Sequence, residues 1–360
     1  MADSCERMRP AGERARILRS GSAPAQSGTE MAAGRLCVLC LFTVSILFLL
    51  FFSASASVKK PKWYKGALHV HTKISDGDST PAEVVEWHKR HGYDFMVLTD
   101  HDRYTDVNAL GLNSDRNFLV IPGEEVSAMF GRQEIHINGI NTKHVVKPLK
   151  GASVDEVLQK NVLAVRKAGG IPIVNHPFYK GRISEGNLAA ISGFFLLEIH
   201  NAMVSTGAEH EMLLDRLTEM GKHVYGTASD DSHYFRTVKK DNWGAPGKAW
   251  VMVRAESLTV DNILKALENG DFYVSTGVIL SDLTITDKEY RIAVVPEKDT
   301  RYTISFRSGE LAVRQLSVGT GDVYHYLGKE PYIRAKIVSS TGKICLTQPY
   351  RIRLREKFGR

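Results

Sequence analysis

From Gly66 to Gly277 short apolar runs alternate with amphipathic stretches, and this alternation decides the fold class before any single residue is weighed. "GALHVHT", "DFMVLTDH", "NFLVIPGEE" and "QEIHINGIN" read as strands, as do "IPIVNHP", "FFLLEIHN", "HVYGTASDDSH" and "AWVMVRA". Between the first two, "STPAEVVEWHKRHG" carries helix signals: Thr80 as a hydroxyl cap, Pro81 at the first helical position, Glu83 in the first turn and Gly92 at the end. "SVDEVLQKNVLAVRKAGG", "AEHEMLLDRLTEMGK" and "TVDNILKALENG" repeat the pattern. Strands alternating with helices predict an α/β domain over residues 65–277, a parallel sheet covered by helices, closed as a barrel or open. After Val278 the helices give out. "LTITDKEYRIAVV", "YTISFRS", "LAVRQLSVG" and "PYIRAKIVSSTGKICL" are β-rich, so residues 278–360 are expected to form a small all-β, sandwich-like appendage.

The N-terminal part has a different texture. Residues 1–34 are polar and expected to be disordered, and residues 35–56 enclose a charge-free apolar block from Leu36 to Phe52. That block fits a signal-peptide core, with Ala54-Ser55-Ala56 as a small-residue cleavage pattern, or a short membrane anchor. Translation from Met31 makes it a compact signal peptide; translation from Met1 favours the anchor. Either way the protein is expected to be exported, periplasmic or extracellular, with membrane contact only through this segment. Before Gly66 ten cations face four carboxylates, so the head carries +6 of the formal +7 charge and the body is nearly neutral. Nucleic-acid binding by bulk charge is therefore not expected. Cys5, Cys37 and Cys40 lie in the head or the apolar block, which leaves Cys345 alone, with no disulfide or cysteine metal site in the body.

Histidines and acids collect where the strands end. His69, His71 and Asp76 follow the first strand, and Asp100, His101 and Asp102 end the second. Glu124 and Glu125 end the third, His136 lies on the fourth, His176 ends the fifth, and Asp230, Asp231 and His233 end a later one. His69 and His71 are two apart on a strand and share a face, which makes a metal grip or an edge strand with two solvated histidines. A lone histidine is more often a core or surface residue than a ligand, and acidic pairs are usually turns or caps. The concentration of six histidines at strand ends is what that bland view explains badly, because a (β/α) barrel builds its site on that face.

"HVHTKISDG", "LTDHD", "PGEE", "NHP" and "SDDSH", in this order, resemble the motifs of the PHP (polymerase and histidinol phosphatase) superfamily, over about residues 65–277. Within it the chain looks most like the stand-alone metallohydrolases of the carbaryl-hydrolase-like group. The resemblance implies a distorted (β/α)7 barrel and two or three divalent transition-metal ions (Mn, Zn or Fe). It implies nine ligands: His69, His71, Asp76, His101, Glu124, His136, His176, Asp231 and His233. By analogy one ion takes His69, His71, Glu124 and Asp231, a second Glu124, His136 and His176, and a third Asp76, His101 and His233. D-x-H spacing selects Asp231 and leaves Asp230 behind it. Asp76, His101, Glu124, Asp231 and His233 would form the catalytic core; Asp100 and Asp102, which flank His101 in the sequence, are candidates to orient imidazoles.

Mixed imidazole and carboxylate donors suit zinc, manganese or iron. Three divalent ions against three carboxylates leave a surplus of positive charge, which attracts a hydroxide or an anionic substrate. A small-molecule phosphate ester is the expected substrate, with Arg103, Arg132, Lys180 and Arg182 as candidate substrate-binding cations. The expected function is a metal-dependent hydrolase, first a phosphoesterase using an activated hydroxide. The alternatives are carboxyl ester, amide or carbamate hydrolysis at the same centre, and a non-enzymatic binding module that works through the β-rich tail.

Overall fold

The computed structural model describes residues 60–352, apart from 114, 180–182, 205–207 and 310–311. The head and the apolar block therefore lie outside the described residues, as do Lys180 and Arg182. Among the described residues no helix is long and apolar enough to cross a membrane.

The helices form where their caps dictate. In α1 (Pro81–Arg90) the Thr80 hydroxyl accepts from Glu83 N, the Glu83 carboxylate accepts from Thr80 N, and Pro81 stands at the first position. Ser153 and Thr259 cap α2 (Val154–Lys167) and α5 (Val260–Asn269). Gly270 then ends α5 at φ 72°, a left-handed conformation that glycine adopts without steric cost. Between them lie α3 (Glu185–Ala190) and α4 (Ala208–Glu219).

The expected closed barrel is not formed. Strands β1 (Lys62–Ala67), β2 (Phe95–Val97) and β3 (Leu119–Ile121) pair in parallel, as do β6 (Ile171–Val174), β7 (Leu196–Asn201) and β8 (Tyr225–Ser229). They belong to two different sheets. "LVIPGEE" is one run in the sequence but breaks at Pro122, which has no N–H to donate. The chain resumes as β4 (Gly123–Phe130) in the second sheet, five-stranded in the order β4-β5-β6-β7-β8. A tight turn through Gly131 (φ 61°) leads into β5 (Gln133–Ile140), so β4 and β5 must run antiparallel. Beyond the strand ends, isolated bridges Val70–Ser232 and His101–Glu125 stitch the two sheets together. The mouth expected of a barrel survives because these extensions converge there, although the cylinder does not close.

The C-terminal residues are all-β, as expected, and they share backbone ladders with the α/β part. β9 (Trp250–Ala255) lies antiparallel between β1 and β10 (Phe272–Ser275). Strand β10 then pairs with β17 (Ile344–Thr347), so that β16 (Arg334–Ser339), β13 (Tyr302–Arg307) and β14 (Val313–Val318) extend the same nine-stranded sheet. Only β11 (Leu280–Ile285), β12 (Glu289–Val294) and β15 (Gly321–His325) form a separate small sheet. The boundary set at Val278 is thus crossed by backbone ladders. Cys345 is fully buried within β17.

A buried ion pair fastens this extension to the helical layer. Arg334 on β16 donates from Nε (2.7 Å) and Nη2 (2.6 Å) to the two carboxylate oxygens of Asp215 on α4, and Tyr332 Oη donates to the same group at 2.8 Å. Asp215 and Arg334 are 0% and 1% exposed. Asp215→Ala leaves a guanidinium buried with its main partner gone, and is expected to lower the free energy of unfolding by about 3–5 kcal/mol. Urea unfolding measures this loss; the double change Asp215→Leu with Arg334→Met is expected to recover most of it, and a single change without effect would refute the account.

Candidate metal centre

The centre is built on the extensions beyond the strand ends. His69 and His71 follow β1, where the His71 N–H donates to Ser232 O at 2.9 Å and fixes the run against the segment after β8. The following turn closes at Gly77, where a Cβ would meet His71 O at 2.8 Å; only glycine fits. Asp100 holds this turn, accepting from Thr72 N (2.8 Å), Ser75 N (3.2 Å) and both hydroxyls. It thereby places Asp76 opposite His71, rather than orienting an imidazole. Asp102, at φ 51°, accepts from Ser127 N, and the Ser127 hydroxyl meets His101 Nδ1 at 2.7 Å. His176 (φ 24°) and Asp231 (φ 51°) also hold left-handed backbones, a local strain typical of functional ends.

One carboxylate stands at the middle of the cluster, and it belongs to Glu125. Its Oε2 lies 3.1 Å from His69 Nε2, 3.2 Å from His71 Nε2 and 3.2 Å from His101 Nδ1. Its Oε1 lies 3.0 Å from His136 Nδ1 and 3.5 Å from His176 Nε2. Glu124, the residue expected from the motif, points to the other face of β4 and accepts from Val146 N at 2.9 and 3.0 Å. Neighbouring residues of a strand face opposite ways, so a slip of one position exchanged the site for the core.

Asp231 Oδ1 is the second shared acceptor, 3.3 Å from His69 Nε2, 3.2 Å from His71 Nε2 and 3.7 Å from His233 Nδ1. Asp76 lies 3.4 Å from His71 and reaches His233 at 3.3 Å and His101 at 3.7 Å. All six expected histidines thus meet at one place. Three groups have donor atoms close enough to hold an ion: His71, Asp76, His101 and His233; His69, His71 and Asp231; and His101, Glu125 and His136.

Support for these groups comes from residues that sequence reasoning passed over. Glu198, buried on β7, meets His69 Nδ1 at 3.1 Å and accepts from His176 N at 2.9 Å. Asn201 donates to both Asp231 (3.1 Å) and Glu198 (3.0 Å), and Asn175 donates to Glu125 at 2.8 Å. Their only signal in the sequence is a position at strand ends, as in "LEIHN" and "IVNHP". Asp230 accepts from Gly247, Lys248 and Ala249 N at 2.7–2.8 Å and lies outside the cluster.

Burial and charge oppose each other here. Burial alone would strip His71 of its proton, but the facing Asp231 and Glu125 carboxylates, 3.2 Å away, outweigh it and raise its pKa to about 9. His69 and His136 are shifted upward in the same way. Burial pushes Glu125 and Asp231 up, and the surrounding imidazoles overcome it, holding both carboxyls well below their ordinary range. In spite of this, His69 Nε2, His71 Nε2, His136 Nδ1 and Asp231 Oδ1 are buried without a hydrogen-bond partner. Such atoms are costly to leave unmatched. Converging nitrogen and oxygen donors of this kind fit divalent transition metals.

A cleft of about 200 Å³ opens over the cluster, and Glu134, Tyr179, Met203 and Val204 join the donor residues in lining it. Arg103 and Arg132 are exposed and not part of this lining; Arg103 Nη1 donates to Asp102 O at 3.2 Å.

No family model matches the chain. Over 103 residues it is 29% identical to a 3',5'-nucleoside bisphosphate phosphatase from Chromobacterium violaceum, covering 28% of this chain and 36% of that protein. Over 77 residues it is 36% identical to the 5'-3' exoribonuclease Rnm of Salmonella typhimurium, covering 21% of this chain and 26% of the relative. The matches therefore span about a quarter to a third of these relatives' own lengths. Among solved structures, a two-domain protein from Bacteroides vulgatus containing a PHP-like metal-dependent phosphoesterase aligns over 80% of this chain and 95% of its own, at 13% identity and a TM-score of 0.49. None of these three is a carbaryl hydrolase, so the narrower likeness has no counterpart among them.

Proposed function

We propose that the chain is a metal-dependent hydrolase of phosphate esters, acting at a centre of two or three divalent ions drawn from manganese, zinc and iron. One observation carries this reading: buried, unpartnered nitrogen and oxygen atoms of His69, His71, His136 and Asp231 aim into one space around the Glu125 carboxylate. The local sequence likeness to a nucleoside bisphosphate phosphatase agrees with it.

When bound, divalent ions there supply Lewis acidity toward a phosphoryl oxygen and lower the pKa of an attacking water. The chain's own residues supply the frame. His69, His71 and Asp231 would hold one ion, His101, Glu125 and His136 a second, and His71, Asp76, His101 and His233 face a third position. Glu198 fixes the His69 ring through Nδ1, so that Nε2 is presented to the cluster. Ser127 meets His101 at Nδ1, and the Nε2 of that ring faces Asp76. Asn201 restrains Asp231 by its outer oxygen, leaving Oδ1 toward the histidines. Asp76, half-exposed, lies in the lining of the cleft. Its carboxyl is pushed up by burial but pulled well below its ordinary range by His233, so it stays ionised throughout the neutral range.

After manganese or zinc loading the protein is expected to hydrolyse p-nitrophenyl phosphate. Glu125→Gln keeps the shape and removes the central charge; metal content measured by elemental analysis and kcat/KM are each expected to fall by roughly 100-fold or more. Glu124→Gln is expected to stay within about threefold of the parent in both. Equal behaviour of the two variants, or a protein that takes up no transition metal, would sink the proposal. Turnover of carboxyl esters in a parallel assay, with phosphates untouched, would favour the ester, amide or carbamate reading instead.

A second expectation concerns protons. Metal-free His71 keeps its proton up to about pH 9, and a bound ion must displace it. Uptake is therefore expected to release protons at pH 7 and to tighten as pH rises toward 9, by about tenfold per pH unit for each proton displaced. Calorimetry in buffers of different ionisation enthalpy reads the proton count. A count of zero contradicts the cluster's electrostatics.

A further inference from the structure

The cleft over the histidines, about 200 Å³, is smaller than ordinary small-molecule sites of roughly 300–1,000 Å³. It suits a phosphoryl group, and the rest of an organic substrate must lie outside it. A second, open groove of about 550 Å³ lies on the segment that follows the last donor, lined by Ala202, Lys239, Lys240, Asp241, Trp243 and Lys248. Backbone geometry makes the two neighbours. Ala202 is joined to Met203 and Val204, which line the cleft, and His233 N donates to Gly244 O at 2.9 Å beside Trp243.

In sequence, residues 234–248 carry Arg236, Lys239, Lys240 and Lys248 against Asp241, a net charge of +3 on a nearly neutral body; Arg236 pairs with Glu83, so the three lysines supply the charge at the groove. In the middle stands Trp243, 43% exposed, its ring 5.6 Å from Tyr234, while Lys239 Nζ sits 4.5 Å over the Tyr234 ring. The segment is anchored at both ends. Asp78 accepts from Phe235, Arg236 and Thr237 N at 2.8–3.1 Å, and Asp230 from Gly247, Lys248 and Ala249 N. An exposed indole on a pinned segment, ringed by lysines, presents a flat apolar face and cationic charge together. A nucleotide answers both demands, through its base and its phosphates; a sugar phosphate has no aromatic ring to stack on the indole.

We propose that residues 234–248 form a recognition platform for the nucleotide unit that adjoins the phosphate held in the cleft. Its base stacks on Trp243 and its backbone phosphates meet Lys239, Lys240 and Lys248. The proposal rests on the phosphoesterase reading for the cleft and names its substrate class. The expectation against nucleic acid rested on bulk charge, and the charge on this segment is local.

The test uses the full chain, first metal-free, so that nothing is turned over. Binding of a fluorescein-labelled oligothymidylate is followed by anisotropy and by tryptophan quenching. Trp243→Ala is expected to weaken binding roughly 5- to 150-fold. Lys239→Ala with Lys240→Ala is expected to reduce the slope of log affinity against log salt by about 1.4. Unchanged melting temperatures show that the variants fold. After manganese loading, the ratio of kcat/KM for thymidylate substrates to that for glycerol phosphate, which has no ring, is expected to drop in Trp243→Ala. Variants that bind like the parent overturn the platform, as does heparin binding with equal affinity. Hydrolysis of glycerol phosphate without oligothymidylate binding removes the platform and leaves the phosphoesterase standing. Binding that depends on Trp243, with no phosphate ester hydrolysed under any metal, leaves a nucleotide site on the loop and removes the reading on which its role as a substrate platform depends.

Discussion

The carboxylate of Glu125 is the point from which the rest of this structure can be understood. Five imidazoles lie within 3.5 Å of its two oxygens, and they arrive from β5 and from beyond the ends of β1, β2 and β6. Several imidazoles so close together repel when protonated, and a buried carboxylate without partners is costly. Each kind of group is tolerable only because the other is present. The sheets must therefore bring their ends to one place whether or not they close into a cylinder, and the two bridges at Val70 and His101 are how they do it.

Around this point acidic residues do a different job from the one their number suggests. Asp78, Asp100 and Asp230 are spent largely on backbone N–H groups that lie 17 to 159 positions away in sequence. Asp230 shows the electrostatic cost of this. Burial lifts its pKa to about 6, even though three backbone donors pull the other way. A carboxylate used as a clamp holds loops whose sequences have no regular structure of their own. The rigid frame of the cluster is thus made of hydrogen bonds to the main chain, and the imidazoles inherit their positions from it.

How far the sequence could be read follows from the range of the forces involved. Caps act within one turn, so Thr80, Pro81 and Glu83 announced α1 with its register intact. Strand-end histidines were legible for a similar reason, since six of them fell at corresponding places in successive units. The choice between Glu124 and Glu125 was not, because both neighbours are acids and the face of a strand is set by its partners in the sheet. Closure of the barrel failed at Pro122, where a single missing donor moves the chain from one sheet to another. Glu198, Asn175 and Asn201 could be placed at strand ends but given no role, because they work at long range, and residues 30 to 129 positions apart share no local pattern.

The C-terminal strands illustrate the same limit at larger scale. Strand β17 joins β10 after some seventy residues, and nothing local in "KICLT" says which edge it will seek. What decides it is the exposed ladder of β10, which would otherwise end the sheet with unpaired backbone groups. Once β17 docks there, β16 follows as its hairpin partner, and Arg334 is carried under α4 to Asp215. A guanidinium enters the interior only where a carboxylate waits, so this pair also fixes the register in which the added strands can lie against the helical layer. The part of the chain that looked like an appendage is held by the same rule that organises the histidine cluster: charge is buried here only in company.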